Sequence, residues 1–182
     1  VAHHDDVELM MGGTLSRLFS EETDVEIHIM VFCSREKNTG ETFKETIQQQ
    51  QESLRKLEAK NFYLYNYEFR SRFLSLYEDE VRIVLNTIKQ KILPNTIFTH
   101  FKDDPNQDHA SLFLQVFRTF RDTSIYGGEI LNTGDTLQPD FFIRIDKKDI
   151  DKKFQSLQSY SKENHKIYSV FIRVWFRFIH LI

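Results

Sequence analysis

Two short polar runs hold the residue types that metal-assisted chemistry needs. Near the start, His3, His4, Asp5 and Asp6 place two imidazoles and two carboxylates in consecutive positions, and far downstream Asp108 and His109 supply another such pair. Neutral imidazole and carboxylate are ligands of a catalytic zinc, which takes three protein groups and leaves one position open for water. Two His and one Asp meet that requirement. A further carboxylate that does not touch the metal could take a proton from that water, whose pKa the ion lowers towards ~7. The same donors suit Fe²⁺, because two His and a carboxylate also form the facial set used by iron. Each run alone is more often a solvated loop or a helix cap, so the question is whether the fold brings them together.

Strand-like and helix-like segments alternate along the chain. Leu9 to Phe19, opened by Gly12 and Gly13, reads as a first helix, and Val25 to Cys33 as a strand rich in β-branched residues. After a loop from Ser34 to Gly40, Thr42 to Ala59 has the length and the Glu, Gln and Lys content of an exposed helix, and Asn61 to Tyr65 makes a short aromatic strand. Leu76 to Leu93 has helical apolar spacing and is stopped by Pro94, followed by a strand from Asn95 to His100. Leu112 to Phe120 is expected to be a helix, Phe141 to Ile145 a strand and Lys147 to Ser159 a charged-faced helix. Strands separated by helices imply parallel βαβ units, hence an α/β fold: a Rossmann-like three-layer αβα sandwich with a mainly parallel sheet. In such sheets functional loops sit at the carboxyl ends of strands, which is where both polar runs fall. The strand that should precede Ala2 is not in the sequence, so a chain clipped at both ends is expected, forming one domain over 1–182.

Composition narrows the function classes. The 182 residues suit one core burying roughly 70 % of the unfolded surface. Lys and Arg total 24 against 27 Asp and Glu, with no basic cluster that would neutralise a phosphate backbone, so nucleic acid is not an expected partner. The single Cys33 can form neither an internal disulfide nor a cysteine-based zinc site, which fits a reducing compartment, the cytoplasm by default. Ile167 to Ile182 is apolar but short and carries Arg173, Arg177 and His180, so it is expected to be a core-docking helix and not a membrane span. His28 and His165 are read as structural.

Ala2-His3-His4-Asp5-Asp6 resembles the Ala-His-Pro-Asp-Asp motif of the PIG-L/LmbE family of zinc-dependent N-deacetylases, and Asn106-Gln107-Asp108-His109 resembles its second motif, His-x-Asp-His. The order of the motifs agrees. So do Gly12-Gly13-Thr14-Leu15, the strand Ile97-Phe98-Thr99 leading to Asp104, the segment Ser124-Ile125-Tyr126-Gly127 and the stretch around Tyr160 to Tyr168. The resemblance implies that His3, Asp6 and His109 hold Zn²⁺, with Fe²⁺ as an alternative, that Asp5 is the general base, and that Asp108 orients or tunes a group of the site. It further implies removal of an N-acetyl group from a small N-acylated amino sugar or its conjugate by attack of a zinc-held water.

Departures from the pattern carry their own expectations. His4 replaces Pro, a loop change that leaves the ligands alone. Asn106 replaces a His credited with stabilising the oxyanion or protonating the leaving amine; Asn can donate a hydrogen bond but cannot deliver a proton at neutral pH. His100 and His4 are the nearest substitutes. The family's arginine in the helix after the second strand has no counterpart in Thr46 to Glu52, leaving Arg70 and Arg72 as candidates for sugar hydroxyls or a phosphate, against the plainer reading of solvated surface residues. One alternative is a catalytically impaired or non-enzymatic family member that binds metal or sugar. Another, a phosphate-accepting receiver domain, explains Asp5 and Asp6 but fails where Tyr65 is followed by Asn66 instead of Asp.

Overall fold

The computed structural model describes residues 1–21, 24–34, 41–130 and 140–160. The expected loop from Ser34 to Gly40 falls mostly outside them; His165 and the expected helix from Ile167 to Ile182 fall wholly outside. In chain order the elements are α1 (Asp6–Ser20), β1 (Ile27–Ser34), α2 (Phe43–Lys56), β2 (Phe62–Arg70), a 3₁₀ turn (Leu74–Tyr77), α3 (Glu78–Ile92), β3 (Thr96–His100), α4 (Gln107–Thr119), β4 (Ser124–Gly128) and α5 (Lys147–Leu157). The fold is mixed α/β with parallel strands.

β1 pairs with β2 and β3 with β4, both in parallel, as two separate two-stranded ladders. Between them run Val1 and Ala2: the N–H of Phe32 donates to the carbonyl of Val1 at 3.2 Å, and that of Cys33 to Ala2 at 2.8 Å. The strand alternation sends β1 side chains to two different cores. Phe32 packs with Val81, Leu85, Leu112 and Val116 of α3 and α4, whereas Ile29 and Val31 pack with Val7, Leu15 and Phe19 of α1 and with Leu54 of α2. Strands thus lie between two helical layers. Among the described residues, no helix is long and apolar enough to cross a membrane.

Several boundaries differ from the sequence reading. Helix α1 starts at Asp6, so Gly12 and Gly13 lie within it and do not open it; a Cβ on Gly13 would stand 2.5 Å from Cδ1 of Ile145, so the glycines admit the segment leading into α5. β2 continues five residues past Tyr65, because Tyr67 and Phe69 stack on Phe32 at 5.2 and 6.2 Å and extend the buried face. β4 is a strand that its two glycines hid, since Gly carries little strand signal. Phe141 to Ile145 is not a strand: Phe142 is 76 % exposed, and β-propensity without a paired neighbour does not make one. α4 begins at Gln107, where Asn106 caps it by accepting the N–H of Asp108 at 3.0 Å. Asp108 and His109 therefore stand in the first turn of a helix.

Candidate metal centre

Two segments meet at the carboxyl ends of β1 and β3. The turn Ala2 to Asp6 lies beside the end of β1, tied there by the N–H of Cys33 on the carbonyl of Ala2, and enters α1, while the loop after His100 enters α4 through Asp104 and Asn106. Here Nδ1 of His3 lies 3.2 Å from Nε2 of His109, and Oδ2 of Asp6 lies 3.3 Å from each. Ligands held at ~2.0–2.1 Å around a tetrahedral zinc stand ~3.3 Å from one another, so this triangle fits such an ion. Asp6 and His109 are almost fully buried, and His3 is one-fifth exposed (20 %), which gives the centre its access to solvent.

Outer carboxylates set the two rings. Nε2 of His3 faces Oδ2 of Asp108 at 3.1 Å, and Nδ1 of His109 faces Oδ2 of Asp104 at 2.8 Å. A ring that donates its outer N–H to a carboxylate turns its other nitrogen's lone pair inward, the tautomer a cation needs. Asp108 is itself fixed by backbone N–H groups, from Arg72 at 2.6 Å and Leu74 at 3.1 Å. Asp104 accepts the N–H of Asn106 at 2.9 Å, and Asp6 that of His3 at 2.7 Å.

The electrostatics without a cation point the same way. Burial works to discharge His3, but Asp6 and Asp108 outweigh it and raise its pKa to about 10. Burial likewise opposes charge on Asp6, and the His109 and His3 rings overcome it, holding the carboxyl well below its usual range. His109 is raised despite burial, mainly by Asp6 and Asp104. A site that gathers positive charge around one carboxylate holds protons where a cation could sit.

His100 does not suit the role of a proton donor. Its Nε2 accepts the N–H of Ala2 at 2.8 Å, its ring stacks on His109 at 3.8 Å, and burial drives its pKa well below the ordinary value. It is a neutral prop. The His4 ring is buried and packs edge-on against Phe43 at 6.1 Å. Asp5 lies buried at the N-cap of α1, adjacent in sequence to Asp6, and its charge acts on His3. Arg70 is the last residue of β2, exposed, with its guanidinium 4.0 Å over the Phe73 ring; Arg72 is exposed in the following turn with φ of 68°. His28 stacks on Tyr63 at 4.8 Å, away from the centre.

Sequence reasoning passed over Asp104 as a partner of His109. The available signal was its place one turn ahead of His109, at the entry to a capped helix. It also set Cys33 aside as a metal ligand because it is the chain's one cysteine, whereas Cys33 shares a donor group with His3 and Asp108. A further group, His100, Asp104 and His109, overlaps the centre but needs the His109 nitrogen already turned to Asp104.

No curated protein matches the chain significantly. The crystal structure of the conserved protein TT1542 from Thermus thermophilus is similar with a TM-score of 0.71 and 22 % identity, over 94 % of this chain and 81 % of that one. N,N'-diacetylchitobiose deacetylase from Pyrococcus horikoshii is similar with a TM-score of 0.62 and 16 % identity, over 87 % and 67 %. GalB, the 4-carboxy-2-hydroxymuconate hydratase of the Pseudomonas putida strain KT2440, is similar with a TM-score of 0.68 and 16 % identity, over 95 % and 81 %. At these identities the likenesses establish the fold, and the hydratase among them shows that the fold alone does not fix the reaction. The sequence profile of the PIG-L family, described as GlcNAc-PI de-N-acetylase, matches residues 1–119, both polar runs included, and the chain belongs to that family.

Proposed function

We propose that this protein is a metal-dependent hydrolase that removes an N-acetyl group from an amino sugar or amino-sugar conjugate. The observation that carries this reading is the triangle of His3, Asp6 and His109, with edges of 3.2 to 3.3 Å. A Zn²⁺ or Fe²⁺ ion bound there would supply Lewis acidity and lower the pKa of water towards ~7. Three of the chain's own groups hold it, and Asp108 and Asp104 keep both imidazoles in the tautomer that faces it. Asp5 receives the proton of the water that attacks the amide carbonyl and returns it to the departing amine. Neutral, buried His100 does not take that part. The exposed Arg70 and Arg72 and the amide of Asn106 are the proposed contacts for sugar hydroxyls. We place the reaction in the cytoplasm, which the single buried cysteine supports.

The test is metal analysis of purified protein, then acetate release from a panel of N-acetylated amino sugars with zinc supplied. Acetate release that Asp5→Ala abolishes while metal stays bound supports the proposal. Stoichiometric metal with no release on any substrate favours the second reading, a family member that binds metal or sugar without turnover; the specific observation on its side is Asn106, whose side-chain oxygen is engaged in capping α4.

A further inference from the structure

The His3 ring has a second side. His3, Cys33 and Asp108 each bring a ligand atom within 4.8 Å of the other two. Cys33 is fully buried at the end of β1, and the 2.8 Å hydrogen bond from its N–H to the carbonyl of Ala2 fixes it beside the residue that precedes His3. Asp108 lies on the Nε2 side of the ring, opposite the Nδ1 that faces Asp6 and His109.

We propose that His3, Cys33 and Asp108 form a second divalent-cation site, selective for a thiophilic ion such as Cd²⁺, that excludes the first by claiming the His3 imidazole. The first set offers only nitrogen and carboxylate oxygen, whereas the second adds a thiolate, the ligand that soft cations prefer. A neutral imidazole has one lone-pair nitrogen, so His3 can serve one set at a time. Binding at the second set forms cation–sulfur, cation–nitrogen and cation–oxygen bonds and ends the hydrogen bond between His3 and Asp108. The Cys33 thiol proton and the Nε2 proton of His3 leave to solvent, and Nδ1 keeps its proton, donated to Oδ2 of Asp6 at 3.3 Å.

The inference shares His3 with the proposed function, and the test separates the two. Metal-free protein is titrated with Cd²⁺ while the ultraviolet thiolate-to-cadmium absorption is followed, and X-ray absorption at saturation counts sulfur neighbours. Since the chain has one Cys, one sulfur per cadmium and an absorption band that saturates at one equivalent are expected. Asp6→Asn should keep the band, because it dismantles only the first set. Cys33→Ser should lose the band, weaken cadmium at least tenfold, and bind Co²⁺ through the first set within twofold of wild type. Cadmium with no sulfur neighbour overturns the proposal, as does a band that survives Cys33→Ser or vanishes in Asp6→Asn. Full Co²⁺ occupancy alongside one bound cadmium overturns the exclusion. If Cys33→Ser does not fold, the wild-type sulfur count and the Asp6→Asn band decide. Failure of Co²⁺ to bind wild type counts against the proposed function, not against this site.

Discussion

Nδ1 of His3 and Nε2 of His109 face each other at 3.2 Å across 106 positions of sequence. Both outer nitrogens are turned to carboxylates, so two lone pairs point into one space with Asp6 as the third corner. Such an approach is favourable only with a proton or a cation between the rings. The raised pKa of His3, to about 10, supplies the proton when no cation is present.

The carboxylate behind His109 should matter for metal without touching it. Asp104→Asn replaces the acceptor at 2.8 Å from Nδ1 with an amide that can present its NH₂, which disfavours the required tautomer. Loss of such an outer partner typically weakens metal binding ~10–100-fold. Calorimetric zinc titration checks this; unchanged affinity would show that helix packing alone orients His109.

Glu8 predicts a pH dependence of stability. It is buried in α1, where burial raises its pKa from 4.5 to about 7 against hydrogen bonds from Ser53 at 2.7 Å and Tyr160 at 3.1 Å. A carboxyl with a raised folded pKa gives its full contribution below the unfolded value and loses it as pH rises through the folded one. Between pH 4.5 and about 7 the wild type should lose on the order of 3 kcal/mol through this group. Glu8→Gln should therefore gain relative to wild type as pH rises from 5 to 8 in urea denaturation. A difference that stays flat across that range contradicts the assignment.

Asn106 has a structural task, since its side chain accepts the N–H of Asp108 at 3.0 Å. Asn106→His should lose that cap at about 1 kcal/mol. It should also raise kcat on an amide substrate while metal content stays unchanged, because an imidazole there can donate to the oxyanion or protonate the amine. A flat or lowered kcat would mean that the cap, not the missing imidazole, is what this chain needs at 106.

A cavity of about 530 Å³ lies between β1 and β3, lined by Ile27, Ile29, Ile97, Phe98, Leu85 and Leu112. Val1 lines it and pairs in parallel with β1. Five apolar residues joined ahead of Val1 should enter it as a strand buried on both faces. Hydrogen exchange should then slow at amides of β1 and β3; unchanged exchange would show that the cavity closes by other means.

How much of this could be read from residues alone depends on how local the signal is. That His3, Asp6 and His109 should come together was implied by the resemblance of both runs to the family motifs, and their donor atoms lie 3.2 to 3.3 Å from one another. The outer partner of His109 was not, because Asp104 looks like any loop acid until the cap on Asn106 turns the chain back. Helix α3 was legible from apolar residues at Val81, Leu85 and Ile88, all buried. β4 was not, since a five-residue strand with two glycines has little propensity of its own and exists by pairing with β3. Phe141 to Ile145 shows the converse, strand-forming residues without a ladder to join.

The central claim is that His3, Asp6 and His109 hold one metal ion while Asp5 handles the proton. Alanine variants of all four, measured together for bound zinc and for acetate release, test it most directly. The first three should each lose zinc, and release with it; Asp5→Ala should keep zinc at the wild-type level and lose release. Equal zinc loss in all four, or full zinc in any of the first three, would contradict the account.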